Sequence, residues 1–141
     1  MIYLDTSVLV AYYMPEALSQ RAQQVISLTS TVVLSELAQA EFVAALALRL
    51  RMGNIERTAV QQIANLFTEH LANDFYSSLH LQSSVYRLAR TYITRFDLPL
   101  KAPDALHLAA AHLERLQLVT ADRQLARNAE TLGIAVDLLT T

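Results

Sequence analysis

The chain has 141 residues, 53% of them hydrophobic and 17% charged, which is the size and apolar content of one domain with a sizeable core. With no cysteine it can build neither a disulfide framework, nor a thiolate zinc site, nor a cysteine nucleophile, so any metal must be held by oxygen or imidazole, and the composition fits a reducing cytoplasm. A net charge of −2 and a pI near 6.0 exclude a broad basic nucleic-acid surface, so any nucleic-acid role rests on a local site.

The opening MIYLDTSVLV carries no basic leader and reaches Asp5 early. Neither a signal peptide nor a membrane span is expected there, and the protein is expected to be soluble and cytoplasmic. Ile2 to Leu4 is a short apolar run with β-branched and aromatic residues that stops abruptly at Asp5 and Thr6, the pattern of a buried strand. Ala17 to Leu28, Ser35 to Met52, Ile55 to Leu71 and Ser83 to Phe96 are rich in helix formers and free of internal glycine or proline, which predicts four helices. Thr31 to Leu34 reads as a second short strand, Ser35 as the N-cap of the helix behind it, and Gly53 as that helix's end.

After Pro99 and Pro103, Asp104 to Leu116 reads as a helix and Leu118 to Thr120 as a strand. Arg123 to Leu132 reads as a helix closed by Gly133, and Ile134 to Leu139 as a last strand. Strands separated by helices, the terminal strands apolar on both faces, imply a single α/β domain over residues 1–141: a small parallel sheet with helices on both sides. The arginine pairs Arg49 and Arg51, Arg87 and Arg90, and Arg123 and Arg127 could clamp phosphate, but for any one pair a solvated helix face is the better reading.

In a parallel sheet, Asp5 and Asp122 each follow a strand and fall at the same carboxyl edge, where open α/β sheets bind ligands. Each alone could be a turn or cap residue. Glu41 is more informative, because it and Gln39 are the only polar residues from Ala38 to Leu48, and a helix apolar all round is expected to be largely buried. Leu34, Leu37, Ala45 and Leu48 fall within about 40° of Glu41 at about 100° per residue. An ionised carboxylate in such a stripe requires a cation, a metal or hydrogen bonds, a buried arginine pair being the plain alternative to a metal. Asp104 opens the helix PDALHLAAAHL, where an acid suits the positive helix end but could also project over the sheet edge. His107 is better read as a buried, hydrogen-bonded helix histidine than as a ligand, since a hard cation among carboxylates does not need imidazole. Carboxylates gathered within a few ångströms repel one another, and Mg²⁺ or Mn²⁺ would resolve that conflict while activating water for attack on phosphorus.

Taken with their surroundings, these positions resemble the PIN-domain family, and most closely its VapC-type toxin ribonucleases. The resemblance spans nearly the whole chain and rests on YLDTSVLV around Asp5, SELAQAEFVAALALRLR around Glu41, APDALHLAAA around Asp104 and LVTADRQLARNAETLGI around Asp122. It implies a PIN-like sheet flanked by helices on both sides. It further implies an acidic tetrad of Asp5, Glu41, Asp104 and Asp122 that is both catalytic and metal-binding, with Thr6, Ser7 and Thr120 as nearby hydroxyls. A Mg²⁺- or Mn²⁺-dependent endoribonuclease would follow, a homodimer with a cognate DNA-binding antitoxin. Glu36, in a SEL context, is the competing glutamate; the helical wheel and the following FVAAL favour Glu41.

Three other classes fit the residues less well. A phosphatase forming an aspartyl-phosphate needs a second aspartate two residues after the first, where this chain has Ser7, and its sole lysine, Lys101, precedes a helix instead of ending a strand. A nucleotide-binding loop cannot be assembled from Gly53 and Gly133, the only glycines. An interaction module that keeps the fold without cleaving is the non-enzymatic alternative, against which an intact set of acids argues.

Overall fold

The computed structural model describes residues 1–141. The chain runs β1 (Ile2–Leu4), α1 (Thr6–Tyr13), α2 (Ser19–Leu28), β2 (Val32–Ser35), α3 (Glu36–Arg51) and α4 (Arg57–Ala72). It continues through β3 (Ser77–Leu79), α5 (Ser83–Ile93), α6 (Ala102–Leu113), β4 (Gln117–Thr120), α7 (Arg123–Thr131) and β5 (Val136–Leu138). All strand pairs are parallel, in the order β3-β2-β1-β4-β5. The expected α/β sheet with helices on both sides is therefore observed.

Side chains alternate across the strands, and that alternation sorts the core into two layers. Ile2, Leu4, Val32, Leu34 and Val119 face one side and pack with Val8 and Leu9 of α1, Ile26 of α2, Phe42 and Leu46 of α3 and Phe67 of α4. Tyr3, Val33 and Leu118 face the other and pack with Val85 and Ala89 of α5, Leu108 of α6 and Leu125 and Ala129 of α7. The central strand β1 pairs Ile2 with Val32 on one side and with Gln117 on the other. With β2 and β3 on one flank and β4 and β5 on the other, the strand order reverses beside β1, which opens a crevice at its carboxyl end.

Helix ends follow local chemistry. The Ser35 side chain accepts the Ala38 N–H at 3.1 Å, the expected N-cap of α3. Gly53, at φ 75°, closes α3: its N–H donates to Leu50 O at 3.1 Å and that of Asn54 to Arg49 O at 3.0 Å. Gly133, at φ 73°, repeats the pattern after α7, with bonds to Glu130 O and, from Ile134, to Ala129 O.

Three features correct or extend the sequence reading. α1 occupies Thr6–Tyr13, for which no element is predicted, and β3 adds a fifth, polar edge strand. α3 is not buried all round: only Ala38, Phe42 and Leu46 are fully buried, whereas Val43 and Leu48 are each 49% exposed. A helix lying on one face of a sheet has one stripe to bury, whatever the apolar content of the others.

Candidate active site

Asp5 leaves β1 and is 5% exposed. Its Oδ1 accepts from Ser7 Oγ and its Oδ2 from Thr120 Oγ1, both at 2.6 Å. Those hydroxyls are themselves fixed: Ser7 Oγ accepts the Ala121 N–H at 2.9 Å, Thr120 Oγ1 accepts the Asp122 N–H at 3.0 Å, and the two lie 3.3 Å apart. The first turn of α1 and the end of β4 are thus tied together through one carboxylate. Burial pushes the Asp5 carboxyl above its ordinary range, against the opposing pull of Ser7, Thr120, the His107 charge and the Val8 backbone.

Glu41 sits in the second turn of α3 with 31% of its side chain exposed. Its Oε1 accepts from Thr6 Oγ1 at 2.9 Å and meets His107 Nε2 at 2.6 Å. The other face of the His107 ring meets the Tyr3 hydroxyl, with Nδ1 at 2.6 Å, and Tyr3 donates in turn to Ser35 Oγ at 2.9 Å. Partial burial raises the Glu41 carboxyl, but the His107 hydrogen bond and charge, with Thr6, more than offset it and leave it below its ordinary range. The compensation that the sequence demands for Glu41 therefore comes from a histidine and a threonine, with no arginine involved. His107 is 3% exposed and hydrogen-bonded, as expected of a buried helix histidine.

Asp104 lies in the first turn of α6, half-buried, and its carboxylate takes no hydrogen bond from the protein. Burial raises its carboxyl, and the nearby charges of Asp122 and Glu41 add to the rise while His107 and Lys101 oppose it. Asp122 is exposed and caps α7, its Oδ1 accepting the Gln124 and Leu125 N–H groups at 2.8 and 3.1 Å. All four predicted acids thus lie at the carboxyl edge of the sheet, beside the crevice. They do not close on one point: no three histidine or acidic side chains are arranged to hold a metal ion.

The remaining candidates lie elsewhere. Glu36 is exposed and pairs with exposed His80 at 2.7 Å. Arg87, Arg90, Arg123 and Arg127 are exposed on helix faces, while Arg49 reaches Glu16 at 3.8 Å. The largest cavity, about 730 Å³, is lined by Tyr12, Ile26, Thr29, Val32 and Phe75 among others, near the start of β2 and just before β3, remote from the acids. The sequence reading misses Tyr3 and the bond that ties it to the Ser35 cap; in the sequence Tyr3 shows only as a polar-tipped aromatic in an otherwise aliphatic strand.

Residues 2–131 match the family model of the PIN domain. The chain belongs to the PIN-domain family. No curated protein sequence matches this PIN domain significantly. Among solved structures it is similar to a chain of FitAcB from Neisseria gonorrhoeae, with 25% identity over 96% of each chain and a TM-score of 0.70. The same fold occurs in VapC20 of Mycobacterium tuberculosis, described as a sarcin-ricin loop cleaving toxin: 16% identity, 96% of this chain and 97% of that one, TM-score 0.71. It occurs again in VapBC2 from Rickettsia felis bound to a promoter DNA fragment, at 17% identity, 99% and 100% coverage and TM-score 0.68. No helix of the PIN domain is long and apolar enough to cross a membrane.

Proposed function

We propose that this PIN domain is a divalent-metal-dependent endoribonuclease, the toxin of a toxin–antitoxin pair, acting through Asp5, Glu41, Asp104 and Asp122. The observation that carries the reading is electrostatic. Four carboxylates gather beside the crevice, yet no lysine or arginine forms a salt bridge with any of them, and His107 is the only basic side chain within ion-pair distance. Burial holds Asp5 and Asp104 toward their neutral forms, and at Asp104 the charges of Asp122 and Glu41 add to it, a conflict that a bound cation relieves.

The donor set fits a hard cation, being all oxygen: Asp5 and Asp104 as the principal ligands, with Glu41 and Asp122 completing the site or orienting water. Mg²⁺ or Mn²⁺ held there would supply charge neutralisation at phosphorus and a more acidic water. The chain's own contribution is positional. Ser7 and Thr120 fix both oxygens of Asp5, and the N-cap bonds fix one oxygen of Asp122. Asp104, free of hydrogen bonds, is the acid best able to turn toward an arriving cation.

Similarity to FitAcB, and to VapBC2 bound to promoter DNA, supports a cognate DNA-binding antitoxin as partner. Leu48 and Met52, exposed apolar side chains four residues apart at the end of α3, support a homodimer. The test is cleavage of a mixed RNA pool by purified protein with Mg²⁺ or Mn²⁺ and with chelator. Metal-dependent cutting is expected; a folded, partner-free protein that cuts nothing would favour an interaction module.

A further inference from the structure

We infer that His107 is a positioning residue for Glu41, acting at the end of a buried hydrogen-bonded chain that begins at Ser35; the inference rests on the metal-dependent nuclease reading. Tyr3 has one hydroxyl proton and donates it to Ser35 Oγ, which also receives the Ala38 N–H. At its 2.6 Å contact with His107 Nδ1 the phenol oxygen can then only accept, so Nδ1 carries a hydrogen. The ring is thereby oriented from β1 and from the cap of α3, and Nε2 shares a proton with Glu41 Oε1 at 2.6 Å. Thr6 donates to the same oxygen. Glu41 Oε2 has no protein partner and is not sealed from solvent. The chain therefore fixes which oxygen of Glu41 is held and which is left open to solvent.

Bulk packing does not account for this arrangement. α6 is otherwise lined with Ala105, Leu108, Ala109, Ala110 and Ala111 at the same depth, where an aliphatic side chain would fill the space without burying an imidazole. Tyr3 and Ser35 are fully buried, so water cannot take over their hydrogen bonds. Partners behind a ligand that fix its orientation typically contribute about 10- to 100-fold to metal affinity or activity.

Two variants separate positioning from packing. His107→Gln places an amide nitrogen near the position of Nε2, whereas His107→Asn reaches only the position of Nδ1; both remove the ring. Mn²⁺ affinity by calorimetry, kcat and KM for RNA cleavage, and thermal midpoints would be measured for each. We expect His107→Asn to lose about 10- to 100-fold in Mn²⁺ affinity, with kcat falling and KM for RNA little changed, while His107→Gln retains most of both. Equal losses in the two variants would overturn the inference. Should either variant unfold, the Nε2 proton of His107 in the wild type, followed by NMR during Mg²⁺ titration, decides. A shift with the midpoint of cleavage activation supports positioning, and a resonance indifferent to Mg²⁺ while the protein cleaves overturns it. A wild type that neither binds Mn²⁺ nor cuts RNA overturns the nuclease reading itself, and is distinguished because no variant is needed to see it.

Discussion

Replacing Asp5 with asparagine should stabilise the metal-free protein at neutral pH while abolishing its stabilisation by metal. Asparagine is isosteric and the surrounding hydroxyls can accommodate it. Ser7 still donates to Oδ1, Thr120 Oγ1 accepts from the new amide and from the Asp122 N–H, and its proton turns to Ser7 Oγ, 3.3 Å away. Exchanging two charge-assisted hydrogen bonds of about 1.5–3 kcal/mol for neutral ones of about 0.5–1.5 kcal/mol loses about 2–3 kcal/mol in total. Removing an ionised carboxylate from a site 5% exposed recovers several kcal/mol. Because burial outweighs the hydrogen bonds in setting the Asp5 carboxyl, the balance should favour the variant by about 1–2 kcal/mol, or about 2–8 °C in Tm for a chain of this size. The sign also fixes the pH dependence. An acid raised in the fold contributes stability that is full below its unfolded value and is lost as pH rises through its folded value, so the variant's advantage should grow from acidic to neutral pH. The assay is thermal unfolding in chelator and in Mg²⁺. Wild type should gain about 2.7 kcal/mol when metal stands at about 100 times its Kd, and the variant nothing. A variant less stable than wild type in chelator at neutral pH would refute the reasoning.

Other consequences follow from sites away from the acids. His70 bonds Tyr13 through Nδ1 at 2.6 Å and stacks on Phe75, and burial holds its pKa below the ordinary 6.5, with Glu69 opposing. A histidine lowered in the fold favours the native state above 6.5 and loses that contribution as pH falls through its folded value, so denaturant titrations of His70→Phe should show a flatter acid limb than wild type. Gly133→Ala should cost about 1–2 kcal/mol, seen as a lower urea midpoint with unchanged slope. The added methyl has open space there, so the left-handed backbone alone sets the penalty.

The two halves of the fold differ in how far the sequence reveals them. β1, β2 and β4 are short apolar runs ended by Asp5, Ser35 or Ala121 and Asp122, and their neighbours are long helices bounded by Ser35, Gly53, Pro103 and Gly133. β3 escapes because Ser77 and Ser78 are exposed at the sheet edge and hold their place by backbone pairing with β2, which leaves no hydrophobic trace. α1 escapes because TSVLVAYY is β-branched and aromatic, a composition that favours a strand until packing against α2 and α3 overrides it. Asp5 and Asp122 are legible as strand-end acids. What compensates Glu41 is not, because His107 lies 66 residues away and Tyr3 a further 104 from that histidine along the chain. Local periodicity carries no information about such pairings. It also overstates the burial of α3, since the pattern cannot tell a stripe that meets the sheet from one that faces outward.

The central claim, that these acids hold a metal for RNA cleavage, is tested most directly at Asp104, whose carboxylate makes no hydrogen bond and so can be neutralised without disturbing the fold. Cleavage of a mixed RNA pool by Asp104→Asn and wild type would be compared across a Mg²⁺ or Mn²⁺ titration, with circular dichroism reporting the fold. The account predicts a folded variant that does not cut at any metal concentration beside a wild type that does; a folded Asp104→Asn protein with wild-type, metal-stimulated cleavage would contradict it.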